Sequence, residues 1–406
     1  MRSANTDRGR RPSGGSVVAA VTLLAVVVLV WPPGAAVAAP PGTSLRLTAA
    51  PESVVHGATT TLTATLSRHG TTERLAGQPV RFEARPLGAR EWARIGSGTT
   101  RSNGRASATT TPRRHMEYRA VFEGSSRWAA SRSSRRTVRV AVSVSSKLES
   151  SSVWLGRATR MSGSVRPAHP GDEVLLQRYS SDGWQVLARQ RLDTASAYRF
   201  RVSPGSGGTH RYRVVKRADD DHDRGVSRRR ELLVRPYAFP IRPASAASYP
   251  RAHHDYPATD IFAPCGTAVV SPTAGVVQEV SRRDEWDPAV NAGATRGGLS
   301  VSLVGTDGVR YYGSHFERIE PGIAPGTRVA ARQPLGTVGR TGSARHTPCH
   351  LHFGISPPCG VGDWEVRRGV VWPWSYLDAW RAGTPRSPRA AVGAWAAANP
   401  ARCPAR

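Results

Sequence analysis

The sequence predicts a mainly β chain of three folded domains behind an N-terminal leader, and three observations carry the prediction. Short runs with apolar residues at every second position fill the span from Ser44 to Val234, each broken by Gly, Pro, Asn or Asp. That layout occurs twice in succession, and each copy has the size of a β-sandwich, about 100 residues. A Pro-dense stretch from Arg235-Pro236 to Tyr249-Pro250 then opens a third segment in which histidines sit on strand-like runs. At 406 residues the chain exceeds what one hydrophobic core covers, so several domains are expected on length alone.

The leader comes first. Arg2, Arg8, Arg10 and Arg11 precede an apolar run from Val17 to Val30, and Ala36-Val37-Ala38 follows. Charge, apolar core and small residues in that order read as a secretory signal peptide over residues 1–39, cut near Ala38 or Ala39. A permanent anchor fits worse, because the run is shorter than the roughly 20 residues a spanning helix needs and ends at Pro32-Pro33-Gly34. The mature chain is therefore expected to be secreted, and located at the cell wall.

Residues 44–142 form the first expected sandwich. Leu45–Thr48, Thr59–Leu66, Val80–Ala84, Arg105–Thr110, Tyr118–Phe122 and Thr137–Val142 alternate as half-buried strands do. His69-Gly70, Ala76-Gly77-Gln78-Pro79 and Ser102-Asn103-Gly104-Arg105 supply the backbone freedom or the fixed φ that hairpin turns need. The segment resembles bacterial immunoglobulin-like repeats, with Asn103-Gly104-Arg105-Ala106 where those repeats turn before a late strand. Residues 143–235 repeat the arrangement and are read as a tandem copy. Neither copy holds a cluster suited to chemistry, so spacer or wall-binding module is the expected role. Asp219-Asp220-Asp221-His222-Asp223 lacks the Gly turn and closing carboxylate of a calcium loop and is read as a solvated acidic loop.

A formal net charge of +28 draws the chain to polyanions. An exported protein meets anionic wall polymers and acidic head groups first, and the arginines are scattered, with no helical stripe and no interleaved aromatics. No nucleic-acid partner is expected. The four cysteines, Cys265, Cys349, Cys359 and Cys403, are expected to oxidise outside the cytoplasm. Of the three pairings open to them, Cys349 with Cys359 is favoured by the Pro357-Pro358 bend between the two. A zinc–thiolate site is disfavoured, because no pair has the short spacing such sites show.

Chemistry is concentrated in the third domain, residues 240–378. His253-His254-Asp255-Tyr256-Pro257-Ala258-Thr259-Asp260, Tyr311-Tyr312-Gly313-Ser314-His315 and His350-Leu351-His352-Phe353 hold five of the chain's twelve histidines, too many for scattered surface residues. Imidazole nitrogen and carboxylate oxygen are the ligands zinc takes outside thiolate sites. In a strand, His350 and His352 project to one side while Leu351 points to the other. Asp260 begins another apolar run, where an unpaired charge would be costly.

These residues, with Asp260–Val269, Ala274-Gly275-Val276-Val277, Tyr312–His315, Gly326–Val329, Gly336-Thr337-Val338-Gly339 and His350–Gly354, resemble the lysostaphin-type, LytM-like zinc metallopeptidases. The resemblance implies a small antiparallel β fold of the duplicated-hairpin type and a peptidoglycan endopeptidase with one Zn2+ per chain. It implies His254, Asp260 and His352 as metal ligands, His350 as general base on the attacking water, and His315 as a second active-site histidine that stabilises the transition state. One departure stands out: many members place the first ligand four residues before the aspartate, where this chain has Tyr256, so His254 is the expected ligand and His253 the reserve. The implied partner is peptidoglycan, acted on by a monomer. The alternative role is a non-catalytic wall-binding regulator of other hydrolases. Residues 379–406 are expected to be a basic Ala/Pro-rich tail, partly helical near Ala390–Asn399.

Overall fold

The computed structural model describes residues 39–360 and 363–403, so the expected leader lies outside the described residues apart from its last position. Alternation becomes two layered β units of the same topology. In the first, Thr43–Ala50, Thr60–Arg68 and Arg105–Thr110 make one sheet. The facing sheet runs Ser53–Val55, Arg136–Ala141, Met116–Phe122, Pro79–Pro86 and Ala93–Thr99. Leu47, Leu62, Leu66, Phe82, Phe122 and Val138 fill the space between, each removed from water. Gly104 of the Asn-Gly turn has φ +69°, and a Cβ there would stand 2.6 Å from the Leu66 carbonyl oxygen, so only glycine closes this corner. Ala93–Thr99 escaped the pattern because Gly96 and Gly98 blank alternate positions of an exposed edge strand.

The second unit repeats the order strand for strand. Thr159–Arg166 pairs with Ala197–Val202 in one sheet, and the other runs Ser152–Trp154, Arg230–Arg235, Gly208–Lys216, Glu173–Ser180 and Gly183–Arg191. Both units share the unusual parallel pairing of a short early strand with the last one, Val54 beside Val140 and Val153 beside Val234. The acidic stretch is only partly solvated: Asp219 and Asp220 are exposed as expected, whereas Asp221 and Asp223 are half-buried. It is a clasp: the Asp223 N–H donates to the Val140 carbonyl (2.7 Å), the His115 N–H donates to the Asp221 carbonyl (2.8 Å), and Arg139 pairs with Asp223. His222 is correspondingly only 5% exposed.

The third domain docks on the second. Ala274 and Ala331 belong to the second unit's core, and the Ala331 N–H donates to the Leu155 carbonyl at 2.9 Å. A four-stranded sheet runs Ile241–Arg242, Ala268–Val270, Pro334–Val338 and Phe316–Ile319. The six-stranded sheet that carries the site runs Thr259–Phe262, His350–Ser356, Arg310–Ser314, Ser300–Gly305, Gly275–Ser281 and Arg328–Val329. On the His350–Ser356 strand, Leu351, Phe353 and Ile355 all lie in the core at 2% exposure or less. Full burial of each contributes about 1.5–3 kcal/mol, which fixes the face on which the two histidines must stand.

Two expectations need correction. Cys349 pairs with Cys265, and Cys359 with Cys403, so the favoured Cys349–Cys359 bridge does not form. Strand pairing explains this: the Asp260 strand lies antiparallel to the His350 strand, bringing the residues just after Phe262 beside those just before His350. The region read as a basic Ala/Pro-rich tail is helical near Ala390–Asn399 as expected, but it is packed against the domain. Helix Trp374–Arg381 puts Trp380 in the domain core, and helix Arg389–Ala398 adds Val392.

Candidate metal centre and catalytic groove

Register sets the site. In the antiparallel pair, Asp260 is directly opposite His352 and Phe262 opposite His350, so the carboxylate and the imidazole share a face. His350 and His352, two apart on one strand, join them there. Ser314 pairs with His352 from the other side, and the chain then kinks at His315, whose φ of +67° turns the next side chain toward the same face. A non-glycine residue with that backbone is uncommon and is held in place by its surroundings.

Hydrogen bonds to carbonyl oxygens fix the tautomers of His352, His350 and His315, whereas Nδ1 of His253 is buried without a partner. His352 Nε2–H donates to the Arg368 carbonyl (2.9 Å), leaving Nδ1 as a bare lone pair 2.9 Å from Asp260 Oδ1. Two acceptors at that distance repel unless a positive charge, a second proton or a metal ion, lies between them. His253 stands on the other carboxylate oxygen, Nε2 3.7 Å from Asp260 Oδ2, with its side chain 3% exposed. These three residues offer ligand atoms all within 4.8 Å of one another. The donor set fits a divalent metal in kind and in number, and His352 anchors its second nitrogen as a ligating histidine ordinarily does.

His254, the ligand expected from the sequence, is not in that cluster. Its side chain is 69% exposed and its Nδ1 pairs with Asp255 at 2.7 Å. The backbone through Pro257 brings the reserve residue, His253, to the carboxylate instead. Tyr256, in the position where many relatives of the resembled type place a ligand, packs its ring 5.8 Å from that of His352 under the Arg368 guanidinium. Burial pushes its hydroxyl up to about 12.

The remaining two predicted residues lie over the cluster. His350 Nδ1–H donates to the Pro348 carbonyl (2.9 Å) and His315 Nδ1–H to the Thr341 carbonyl (2.7 Å), so each keeps Nε2 as its free lone pair. Their ring centroids are 4.9 Å apart. Burial, then the neighbouring His352 and His350, hold His315 down to about 3, and burial and His352 hold His253 down to about 4. Burial pushes the Asp260 carboxyl up, but the bond and charge of His352 outweigh it, and Asp260 stays below the usual range.

The five histidines and Asp260 line one groove of about 520 Å³. Its far wall is Trp364, Arg367 and Arg368, and the sequence reading singled out neither arginine. That wall is anchored by Arg310, fully buried, whose guanidinium grips Asp363 through two bonds of 2.8 and 3.0 Å. The only sequence signal for it was the isolated Asp363-Trp364 before two arginines.

With this geometry in hand, comparison with known proteins gives a consistent class. Residues 254–361 match the model of peptidase family M23 and residues 47–141 that of the group 3 bacterial Ig-like domain. The chain thus carries an M23 peptidase domain preceded by a bacterial Ig-like domain. A curated relative, the L-Ala–D-Glu endopeptidase of Bacillus subtilis (strain 168), is 29% identical over 127 residues, which is 30% of this chain and 34% of that protein. The chain therefore spans about a third of that relative's length. Solved structures similar to it include the catalytic domain of the prophage-encoded M23 protein EnpA from Enterococcus faecalis (22% identity, TM-score 0.24, 30% of this chain and 88% of that one). Another is a zinc-containing peptidase from Vibrio cholerae (14% identity, TM-score 0.23, 59% and 74%).

Proposed function

We propose that the chain is an exported zinc endopeptidase that hydrolyses peptide cross-links of bacterial peptidoglycan, with His253, Asp260 and His352 as the metal ligands. The observation that carries the proposal is the pairing of a two-imidazole, one-carboxylate cluster with two further imidazoles whose Nε2 lone pairs are free over the same groove. When bound, zinc supplies Lewis acidity, lowering the pKa of a water and polarising a carbonyl.

The chain's own residues do the rest. His350 Nε2, with its other nitrogen tied to the Pro348 carbonyl, accepts the proton that the attacking water loses and returns it to the departing amine. His315 is a neutral acceptor in the resting protein, so it does not begin as the oxyanion donor the resemblance implies. It becomes a donor at Nε2 only by taking a second proton from solvent, which negative charge growing on the substrate carbonyl favours, and it releases that proton when the carbonyl re-forms. Arg296 and Arg368 on the groove wall suit a peptide that carries free carboxylates. Export is supported by the leader pattern and by the two disulfides of the third domain, which persist in oxidising compartments.

The test is product analysis on purified peptidoglycan of known cross-link type. Wild-type protein releases muropeptide fragments, whereas His352→Ala and chelated protein release none. Fragment release that survives both treatments refutes the proposal, and zinc-loaded wild type that binds wall without cutting it favours the regulator.

A further inference from the structure

A second cluster stands at the junction of the two sandwich units, far from the groove. His169 lies in the loop between the strands Thr159–Arg166 and Glu173–Ser180, and Asp219 and His222 lie in the loop after Gly208–Lys216. Their ligand atoms also lie within 4.8 Å of one another. His169 Nδ1–H donates to the Pro167 carbonyl (2.8 Å), which leaves Nε2 bare and 3.1 Å from Asp219 Oδ2. His222 Nε2–H donates to the Arg113 carbonyl of the first unit (2.8 Å), which leaves Nδ1 bare and 3.4 Å from Asp219 Oδ1. That Nδ1 is buried and has no hydrogen-bond partner, in a side chain only 6% exposed.

We infer that His169, Asp219 and His222 form a structural site for a divalent transition metal, zinc by its ligand chemistry, that locks the clasp between the two sandwiches. Metal–ligand lengths of about 2.1 Å in a tetrahedron put ligand atoms roughly 3.4 Å apart, and each imidazole stands near that distance from one oxygen of the carboxylate, His169 from Oδ2 and His222 from Oδ1. Both imidazoles carry their proton on the nitrogen facing a backbone carbonyl, the outer support a metal-binding histidine uses. His115 is close but is not a ligand. Its Nδ1 accepts the Val140 N–H (3.0 Å), so its neutral ring carries the proton at Nε2. The His169 and Asp219 side chains are 12% and 30% exposed, which gives an ion a way in.

The competing cation is Lys216, whose Nζ is 2.8 Å from Asp219 Oδ2. It also holds Asp172 Oδ2 at 2.9 Å and the Arg217 carbonyl at 3.0 Å, so it keeps two partners when a metal takes the carboxylate. Asp219 also caps its own loop, with Oδ1 accepting the Asp221 N–H (2.9 Å) and the His222 N–H (2.8 Å). A metal bound there therefore rigidifies the segment whose Asp221 carbonyl and Asp223 side chain grip the first unit.

Equilibrium dialysis of the full chain against Zn2+ alone tests this. Wild type is expected to take up two equivalents, His352→Ala one, and His352→Ala combined with His222→Ala none. His222→Ala alone is expected to keep muropeptide release unchanged, and cleavage between the two sandwiches in limited proteolysis is expected to speed at least fivefold. Should His222→Ala fold poorly, His169→Gln, at the less buried ligand, is expected to weaken the second equivalent at least tenfold. Uptake by wild type of a single equivalent that His352→Ala abolishes, or of two by both His222→Ala and His169→Gln, overturns the assignment. Loss of the other equivalent with His352→Ala bears only on the groove, so the two readings fail separately.

Discussion

The histidine pair before Asp260 offers a sharp test of how the groove holds its metal. His253→Ala removes a side chain that is 3% exposed and stands 3.7 Å from Asp260 Oδ2, whereas His254→Ala removes one that is 69% exposed. A four-ligand structural zinc is worth about 10–16 kcal/mol, so one ligand of a comparable set carries roughly 3 kcal/mol, or about two decades of affinity. Muropeptide release titrated against buffered free Zn2+ reads the catalytic ion alone. The His253→Ala midpoint is expected to move up about a hundredfold, with little activity recovered at saturation, because the carboxylate is left partnered on one side only. The His254→Ala midpoint is expected to stay within about twofold of wild type, as for surface changes generally. If His254→Ala moves the midpoint and His253→Ala does not, the assignment of His253 is wrong and the loop through Pro257 must rearrange when metal binds.

Three further outcomes follow from the packing. Metal-free protein is expected to lose stability in the third domain as pH falls. His315 and His253 are held to about 3 and 4 against an ordinary 6.5, so the unfolded chain binds these protons more tightly; stability is full above about pH 6.5 and declines toward pH 4. Urea melts of chelated protein that are flat from pH 7 to pH 4 would contradict this. Asp363→Ala strands the fully buried Arg310 guanidinium, and a cost of about 3 kcal/mol is expected in the same melts. Because Asp363 begins the segment that delivers the Arg368 carbonyl to His352, the zinc midpoint should rise as well; a change in stability alone would make the pair merely structural. Replacing Cys265 and Cys349 with serine opens a closure of 84 residues, worth about 4–5 kcal/mol in the chain-entropy model, and reducing agent, which also opens the Cys359–Cys403 closure, should give a larger shift in thermal unfolding.

What the sequence could reveal depended on period and register. His350 and His352 share a face because strands have a period of two, and Asp260 belongs with them because an unpaired carboxylate cannot sit beside Ile261 and Phe262. The choice between His253 and His254 was not legible, since both precede a proline loop that has no periodicity. The place of Arg367 and Arg368 on the groove wall was hidden for a similar reason: it depends on a buried Arg310–Asp363 pair between distant segments. Cysteine pairing followed strand adjacency and not the local Pro357-Pro358 bend. The acidic stretch looked solvated because its partners, His169 and the Arg113 carbonyl, are remote in the chain.

The groove and the clasp are built from the same parts, a carboxylate set between two bare imidazole lone pairs, and they differ in what surrounds those parts. Above Asp260 stand two more imidazoles with free Nε2 atoms and a groove wide enough for a peptide, so a proton can be taken up and given back beside the metal. Around Asp219 stand the Lys216 ammonium and two backbone N–H groups, and the described residues there include no free base over an open trough. An ammonium next to the metal also opposes the accumulation of positive charge, which favours a weaker ion than the one in the groove. A catalytic metal needs an open position and a neighbouring proton acceptor, whereas a structural one needs only closure. Graded chelation should therefore loosen the clasp before it stops hydrolysis, and a protein that loses activity first would show that the order of the two affinities is the reverse.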